Sequence, residues 1–287
     1  MNPTQTFEAA RPRLKRLAYR MLGEIAEAED AVQDAWLRWR GADHHAINDP
    51  DGWLVTATTR LCLDRLRAQK ARREAYRGPW LPSPLIENLE EDPVERAEEV
   101  SVAFLLALQR LSPLERAVFL LHDVFDQDFA KVAETLARTE AACRQLAARA
   151  RAHVRESRPR FQPPPEEKTA SLVAAFLDAA RNHDLAALSG LLAEDAVLIS
   201  DGGGKRKAAL RPMIGREDIL QFFVGLASRG HWPVVDAVKA ARINGYHGVI
   251  VRDGEGLQTF AFQPGAGGVI AAIYVVRNPD KLAGIGV

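Results

Sequence analysis

Residues 128–154 read DFAKVAETLARTEAACRQLAARARAHV, a stretch that predicts two short helices around a tight turn. Apolar side chains recur at helical spacing on both sides of a break at residues 137–138. Thr139 is expected to cap the second helix, with Glu140 in its first turn, where the helix dipole favours an acid. The apolar positions are Phe129, Val132, Ala133 and Leu136 before the break, and Cys143, Leu146, Ala147 and Ala150 after it.

The outward face of the second helix has the chemistry of a major-groove reader. Arginine can donate two hydrogen bonds to guanine, glutamine can pair with adenine, and small residues permit close approach. An ordinary surface helix with basic residues near its C-terminus is the alternative for this segment alone. The residues expected to face outward are Glu140, Ala141, Arg144, Gln145, Ala148 and Arg151.

The composition is that of an ordinary globular chain, long enough for two or three domains. It has 287 residues, 47% of them hydrophobic and 26% charged. No apolar run approaches the roughly 20 residues that span a bilayer, and the start MNPTQTFEAARPR lacks a signal-peptide pattern. We therefore expect a cytoplasmic protein without membrane contact. Because Cys62 and Cys143 lie inside helical patterns, we expect no disulfide framework, metal or cofactor.

The formal net charge is zero, but the charge is unevenly distributed. Residues 60–77 hold seven basic side chains against two acids, and residues 86–99 hold seven acids against one arginine. Basic character returns over residues 138–160. This distribution favours two DNA-contacting modules joined by an acidic linker. A solvated linker beside ordinary basic helices would give the same pattern.

A second motif, AEDAVQDAWLRW at residues 28–39, combines an apolar stripe with two carboxylates one helical turn apart. Asp30 and Asp34 are these carboxylates, and Gln33 stands beside them. No histidine, cysteine or third acid occupies a complementary position, so an acidic docking face for a protein partner is favoured over metal or acid–base chemistry. A solvated face on a core helix is the alternative.

The chain divides into three blocks. Residues 7–77 are helical in pattern with breaks at Gly23 and over 41–51, and helices resume from 94 to about 156. Residues 169–287 predict two helices, a strand at 196–200, a turn at 201–205, a helix at 217–228 and four glycine-broken strands, hence an α+β domain with a curved antiparallel sheet. We expect domains at 5–77, 99–157 and 169–287, with a linker at 78–98 and a proline-rich connector at 158–168.

The motifs and their order resemble a known family. AEDAVQDAWLRW with DPDGWLVTATTRLCLDRLRAQKARR (49–73) is similar to region two, and the sequence of residues 111–154 to region four, of the extracytoplasmic-function sigma factors of the sigma-70 family. WLPSP (80–84), DGGGK (201–205) and NPDKL (278–282) resemble motifs of the SigJ-like subgroup, which has a C-terminal SnoaL-like extension. The resemblance implies a multidomain protein with two all-α helical domains and a C-terminal α+β domain of SnoaL/NTF2-like fold.

The resemblance also implies partners and site residues. The partners would be promoter DNA and core RNA polymerase through its β′ and β subunits; an unidentified small-molecule ligand of the C-terminal domain is an open alternative. The subgroup usually has glutamate where Ser83 stands, so no charge contact is carried over to that position. The implied sites are core polymerase binding by Asp30, Gln33, Asp34 and Trp36; minus-10 DNA by Asn48, Asp49, Arg60, Arg65 and Arg67; minus-35 DNA by Glu140, Arg144, Gln145, Ala148 and Arg149; and a regulatory interface of Trp80, Leu81, Pro82, Asp201, Gly202, Gly203, Gly204, Lys205, Asn278, Pro279, Asp280, Lys281 and Leu282.

Other interpretations stay open. The chain is expected not to be an enzyme, yet SnoaL-type folds also house small-molecule enzymes, and a ligand-sensing role is a further alternative. Conceivable acid–base groups are Asp201, His231, Asp236 and Tyr274. DGGGK lacks phosphate-loop spacing, so it predicts a tight turn or part of an interface. A plain helix-turn-helix repressor is disfavoured by the docking motif, and Trp53 is expected in the core.

Overall fold

The computed structural model describes residues 2–87, 101–157, 166–228 and 235–286. Most of the acidic linker stretch and most of the proline-rich connector lie outside the described residues. The chain forms two compact units. The first comprises Met1–Ala75 and Ala103–Arg158, and the second comprises Tyr76–Val102 and Pro159–Val287. The first unit thus holds both predicted helical modules, while the start of the linker belongs with the C-terminal block.

The first module of unit 1 is built from α1 (Pro3–Leu22), α2 (Ile25–Arg40) and α3 (Pro50–Glu74). The predicted break at Gly23 is confirmed: this residue ends α1 with a φ of 74°, and its N–H donates to the carbonyl of Tyr19. Left-handed backbone of this kind favours glycine.

The second module contains α4 (Val102–Gln109), α5 (Pro113–Phe119), α6 (Phe129–Leu136) and α7 (Glu140–Ser157). Ser112 and Glu115 form a reciprocal capping box at the start of α5. A π-helical turn over Leu120–Val124 follows α5 directly. The sequence did not predict this turn, because one inserted residue in a helix leaves the apolar pattern almost unchanged.

Unit 2 packs three helices, α8 (Glu166–Arg181), α9 (Leu185–Leu191) and α10 (Arg216–Ser228), with a seven-stranded sheet. The strands are β1 (Ile86–Glu87), β2 (Leu192–Asp201), β3 (Met213–Ile214), β4 (Val235–Ile243), β5 (Tyr246–Asp253), β6 (Gly256–Pro264) and β7 (Ile270–Val276). Their order in the sheet is β1-β4-β5-β6-β7-β2-β3. The predicted α+β class is confirmed.

The sheet is mixed, so the expectation of a purely antiparallel sheet was wrong. β2 and β7 pair in parallel, with Asp201 opposite Val276, while the other pairs are antiparallel. Hairpin turns fix the antiparallel direction of β4 to β7, whereas most of the domain separates β2 from β7 and leaves their direction free. The two-residue strands β1 and β3 are too short to give a periodic signal.

The core of unit 2 lies between the helices and one face of the sheet. Phe176 of α8 packs its ring 5.1 Å from that of Phe262 and 6.1 Å from that of Phe223. Val249 and Ile273 supply the sheet side of this cluster. On the other face Tyr274 is also buried, and its hydroxyl donates to Gln263 at 2.7 Å. Within the described ranges, no helix is long and apolar enough to cross a membrane.

Candidate functional site

The helix-turn-helix prediction is confirmed. Asp128 caps α6 by accepting from the N–H of Lys131 at 2.8 Å, and Thr139 caps α7 by accepting from the N–H of Ala142 at 3.2 Å. Between them Ala137 takes left-handed backbone with a φ of 51°, which makes the tight turn. The side chains that hold α7 in place are the fully buried Cys143, Ala147 and Ala150.

The outward face of α7 presents the residues expected to read DNA. Glu140, Arg144, Gln145, Ala148 and Arg149 are all exposed. Arg144 donates to Glu140 at 2.6 Å and lies 5.2 Å from the centre of the Phe129 ring, which orients its guanidinium. Gln145 has no hydrogen-bond partner among the described residues, so its amide is available to a base edge.

Arg149 instead approaches α5, with its Nε 3.3 Å from a carboxylate oxygen of Glu115. Burial raises the pKa of Glu115, but hydrogen bonds from Ser112 and the charge of Arg149 outweigh it, so the pKa lies below its ordinary value. The Glu115 carboxylate therefore stays charged and attracts the Arg149 guanidinium. Arg149 is partly committed within its own module, unlike Gln145.

The acidic face of α2 is exposed as well. Asp30 and Gln33 are open to solvent, and Trp36 packs on Phe7 with ring centres 4.9 Å apart. Leu37 lies one turn along the same face and is 47% exposed. The sequence reasoning missed Leu37, although its spacing from Gln33 and Asp30 was a usable signal. Acids around an exposed leucine suit a protein partner, since an apolar anchor ringed by polar groups is typical of interfaces.

One ion pair links Arg65, which was expected to bind minus-10 DNA, with Asp34, which was expected to bind core polymerase. Arg65 of α3 binds Asp34 of α2 at 2.6 Å, and its Nε lies 3.6 Å from Glu27. The Arg65 side chain is only 20% exposed. Its charge is thus compensated inside the unit, whereas Arg67 makes only a surface pair with Asp64.

The loop before α3 was expected to capture a base. Asn48 and Asp49 are exposed there, and Asp49 accepts from the N–H of Gly52 at 3.0 Å, which caps α3. This hydrogen bond is the main cause of a lowered pKa of Asp49. Trp53, expected in the core, is half-buried with its ring centre 5.4 Å from that of Trp39.

The side chain of Arg60 is hydrogen-bonded to the second module. Its guanidinium donates to the carbonyl of Thr135 at 3.1 Å and to that of Glu134 at 3.4 Å. These carbonyls belong to the last turn of α6, where backbone acceptors lack helical partners and the dipole favours a cation. The hydroxyls of Thr56 and Thr135 lie 3.0 Å apart, and Lys131 lies 3.5 Å from Asp49. In unit 1, α6 therefore covers part of the surface expected to bind minus-10 DNA.

In unit 2, the linker and the DGGGK and NPDKL motifs meet at one fully buried carboxylate, that of Asp201. Asp201 accepts from the hydroxyl of Tyr76 at 2.6 Å and from the N–H of Leu81 at 2.9 Å. Lys281 donates to Asp201 at 2.8 Å and to the carbonyl of Leu81 at 2.5 Å. We call these four residues, together with Asn278, the linker clamp.

Aromatic rings enclose the cation of the linker clamp. The ammonium of Lys281 lies 4.0 Å from the centre of the Trp80 ring and 5.2 Å from that of Tyr76. Asn278 donates to the Tyr76 hydroxyl at 2.9 Å. The structure thus brings Trp80, Leu81, Asp201, Asn278 and Lys281 together. Tyr76 was not predicted, since nothing local marks a tyrosine whose partner lies 125 positions away.

The glycines of DGGGK form the predicted tight turn. Gly203 and Gly204 have φ values of 62° and 71°, in the left-handed region. A side chain at Gly202 would meet the carbonyl oxygen of Arg206, and one at Gly203 would meet the side chain of Asn278. The turn therefore also allows the close approach of the NPDKL segment, where Lys205 binds Asp280 at 2.6 Å.

The linker is held at a second point, at the edge of the sheet. Leu85 donates to the side chain of Asn244 at 3.2 Å, and the Asn244 N–H donates back to the Leu85 carbonyl at 2.8 Å. β1 then pairs with β4 in the register Ile86 to Ile243. Between the two points Pro82 and Ser83 are buried. A glutamate at position 83 would need a charged partner there, so serine suits this surrounding.

Of the conceivable acid–base groups, Asp201 and Tyr274 belong to separate hydrogen-bond networks. Asp201 is saturated by the linker clamp, and Tyr274 donates to Gln263. Burial and the neighbouring Tyr246 raise the pKa of Tyr274. His231 and the side chain of Asp236 lie outside the described residues. Across the described ranges, no group of three or more His, Cys, Asp or Glu side chains is placed to hold a metal ion.

Comparisons with known proteins match this architecture. The sequence models of sigma-70 region 2 and region 4 match residues 6–72 and 101–154. The chain is 38% identical over 289 residues to the ECF RNA polymerase sigma factor SigJ of Mycobacterium tuberculosis, covering 97% of this chain and 92% of that protein. A probable ECF sigma factor of the same organism, SigI, is 38% identical over 191 residues and 65% of each chain.

A solved structure extends the match to the whole fold. The crystal structure of the M. tuberculosis extracytoplasmic function sigma factor SigJ superposes with a TM-score of 0.79 at 36% identity, covering 98% of both chains. Similarity of this extent includes unit 2 as well as the two helical modules. The chain therefore belongs to the extracytoplasmic-function sigma factors of RNA polymerase.

Proposed function

We propose that the chain joins core RNA polymerase in the cytoplasm and directs it to promoters with defined minus-10 and minus-35 elements. The strongest support is that one compact unit carries two exposed faces, each suited to a different partner. These are the acidic face of α2, suited to a protein partner, and the α7 face, suited to a major groove. Two weak sites on one chain bind tightly when a partner holds both at the right separation.

The acidic face of α2 is the proposed docking site for the polymerase β′ subunit. Asp30, Gln33 and Asp34 would supply polar contacts, and Trp36 stiffens the helix through Phe7. Leu37 adds an apolar anchor at 47% exposure. We assign the matching surface of polymerase a basic rim around an apolar pocket, because charge complementarity sets orientation and association rate.

The DNA contacts are divided between the modules. Near minus-10, Asn48 and Asp49 would hold an extruded base, since a stacked base is out of reach. Cations of α3, Arg60 and Arg67 foremost, would hold the phosphates of the parting strands. Near minus-35, Arg144 and Gln145 would read base edges, Glu140 orients Arg144, Ala148 permits close approach, and Arg149 contacts phosphate. Arg65 would act chiefly by joining α3 to α2.

The C-terminal block would regulate the sigma factor through the linker that connects its two modules. The linker clamp holds the linker at Tyr76 and Leu81, and the sheet edge holds it at Leu85. A linker that is fixed at these points can span a smaller range of distances. The clamp would therefore limit the separation that the two helical modules can adopt. Asp201 and Tyr274 are already engaged in hydrogen bonds, so we assign neither of them a catalytic role.

Run-off transcription with purified core polymerase on the protein's own upstream region tests the sigma assignment. Transcripts should require both core polymerase and the chain, since neither α2 nor α7 alone selects a start site. Footprinting without core polymerase should give little protection at up to micromolar protein. Strong protection without polymerase, together with no transcripts in its presence, would indicate a repressor and contradict the proposal.

The regulatory role is tested by comparing the full chain with one that ends at Pro159. Removing the block frees the linker, so promoter strength or polymerase affinity should change several-fold. If both quantities stay unchanged, the block does not regulate transcription, although the sigma assignment stands.

A further inference from the structure

A cationic cavity opens beside the glycine turn of unit 2. Its volume is about 340 Å³. Four cations line it, namely Arg77, Lys205, Arg206 and Lys207, together with small residues of the turn and the segment after it. Neither aspartate nor glutamate is among the lining residues. The cavity thus concentrates positive charge in a concave site, where the field on a small anion is strongest.

Most of this charge is not compensated by the protein. Lys205 pairs with Asp280, but their side chains are 55% and 62% exposed, so water screens the pair. Arg206 donates to the neutral carbonyl of Leu257 at 3.0 Å. In the described part of the chain, no carboxylate pairs with Arg77, Arg206 or Lys207. Three cations therefore face one cavity without a carboxylate partner, so an anion placed between them would be attracted by each.

The shape of the turn suits close approach of such an anion. The carbonyl of Gly202 is occupied by the N–H groups of Lys205 and Arg206, each at 3.0 Å, which keeps the turn compact. Gly204 has no side chain to fill the space beside Arg77. Arginine offers a planar fork that matches phosphate oxygens in pairs, and lysine adds a point charge.

We propose that this cavity binds a phosphate-bearing small molecule, such as a nucleotide di- or triphosphate. A polyanion matches several cations better than a single carboxylate does, and the volume lies at the lower end for small-molecule pockets. A small molecule fits this half-open cavity, whereas a nucleic-acid backbone favours an extended groove.

The site has a consequence for the linker. Arg77 directly precedes the linker and follows Tyr76 of the linker clamp, while Lys207 follows the glycine turn. A phosphate held by both cations would add a bond between linker and C-terminal block and tighten the clamp. This consequence rests on the proposed regulation, but the binding itself does not.

Isothermal titration of the full chain with pyrophosphate and with ADP tests the site. Saturable binding is expected, and Arg77→Gln and Lys207→Gln should each weaken it about tenfold, since each removes a charge-assisted hydrogen bond. Binding should also weaken as ionic strength rises. Lys239→Gln is the matched control, because Lys239 is exposed on β4 and does not line the cavity. Thermal melts without ligand confirm that each variant is folded.

Three results would overturn the proposal. The first is that neither probe shows saturable binding. The second is that the cavity variants bind as well as the wild type, and the third is that only the Lys239 variant loses binding. Binding of a single-stranded DNA oligomer that needs Arg77 and Lys207, with no binding of pyrophosphate or ADP, would replace the small molecule with nucleic acid. If ADP binds but leaves run-off transcription unchanged, the proposed tightening of the linker clamp is contradicted, whereas the proposed binding site is not.

Discussion

At the scale of single residues, Asp201 and Lys281 form an ion pair removed from water, with side chains 0% and 5% exposed. Two buried charges cost several kcal/mol each in lost hydration, which their attraction and further hydrogen bonds must offset. Asp201 meets this need with Tyr76 and Leu81, and Lys281 with the Leu81 carbonyl and two aromatic faces. The pair therefore specifies where the linker sits, because only the bound linker completes both networks.

Replacing Lys281 with methionine should destabilise unit 2 by about 3–5 kcal/mol, since it leaves Asp201 charged, buried and short of a partner. Lys205→Met is the control; its exposed pair with Asp280 should contribute less than about 1 kcal/mol. Hydrogen exchange read by mass spectrometry gives both the stability of β2 and β7 and the protection of the Leu81 amide. Equal effects of the two variants on that amide would contradict the role of the buried pair.

At the scale of elements, we expect different residues of α7 to set the specificity and the affinity of DNA binding. Gln145 and Arg144 face outward and are positioned to meet base edges, while Arg155 near the helix end is exposed and remote from them along the helix. Replacing Gln145 with alanine should cost about 1–3 kcal/mol at its preferred base pair and little elsewhere. Arg155→Gln should instead weaken all promoters alike or leave them unchanged.

Run-off transcription on a set of minus-35 variants measures this difference. The ratio of transcripts from the preferred and altered elements should fall for Gln145→Ala and stay constant for Arg155→Gln. A uniform loss on every variant would show that Gln145 does not read sequence.

The helices and long strands could be predicted from sequence because their stabilising contacts follow the local period. The turn at Ala137, the cap at Thr139 and the strands β4 to β7 are of this kind. The parallel pairing of β2 with β7, the strand β1 and the hydrogen bond from Tyr76 to Asp201 depend on residues distant in sequence. The motifs placed Asp201 and Lys281 at one interface, but neither the burial of the pair nor the part played by Tyr76 follows from spacing.

At the scale of the whole molecule, unit 1 places α6 of the second module on α3 of the first. Arg60, proposed for minus-10 DNA, donates to α6 carbonyls, and Asp49 faces Lys131. If these side chains bind promoter DNA as proposed, their partners in α6 compete with the DNA for them. We therefore expect transcription to require that α6 leaves α3, with polymerase binding supplying the energy of the lost contacts.

A reversible cross-link between α3 and α6 tests this requirement. The hydroxyls of Thr56 and Thr135 lie 3.0 Å apart, so cysteine thiols at these two positions would lie close together and are the pair chosen for oxidation. The native Cys62 and Cys143 are fully buried and should not exchange readily with the new pair. The oxidised Thr56→Cys/Thr135→Cys chain should lose at least about tenfold in run-off transcription, because it holds unit 1 in the conformation that covers Arg60. Reduction should restore activity, and Thr56→Cys alone should respond to neither treatment; full activity of the oxidised double variant would show that α6 can remain on α3 during initiation.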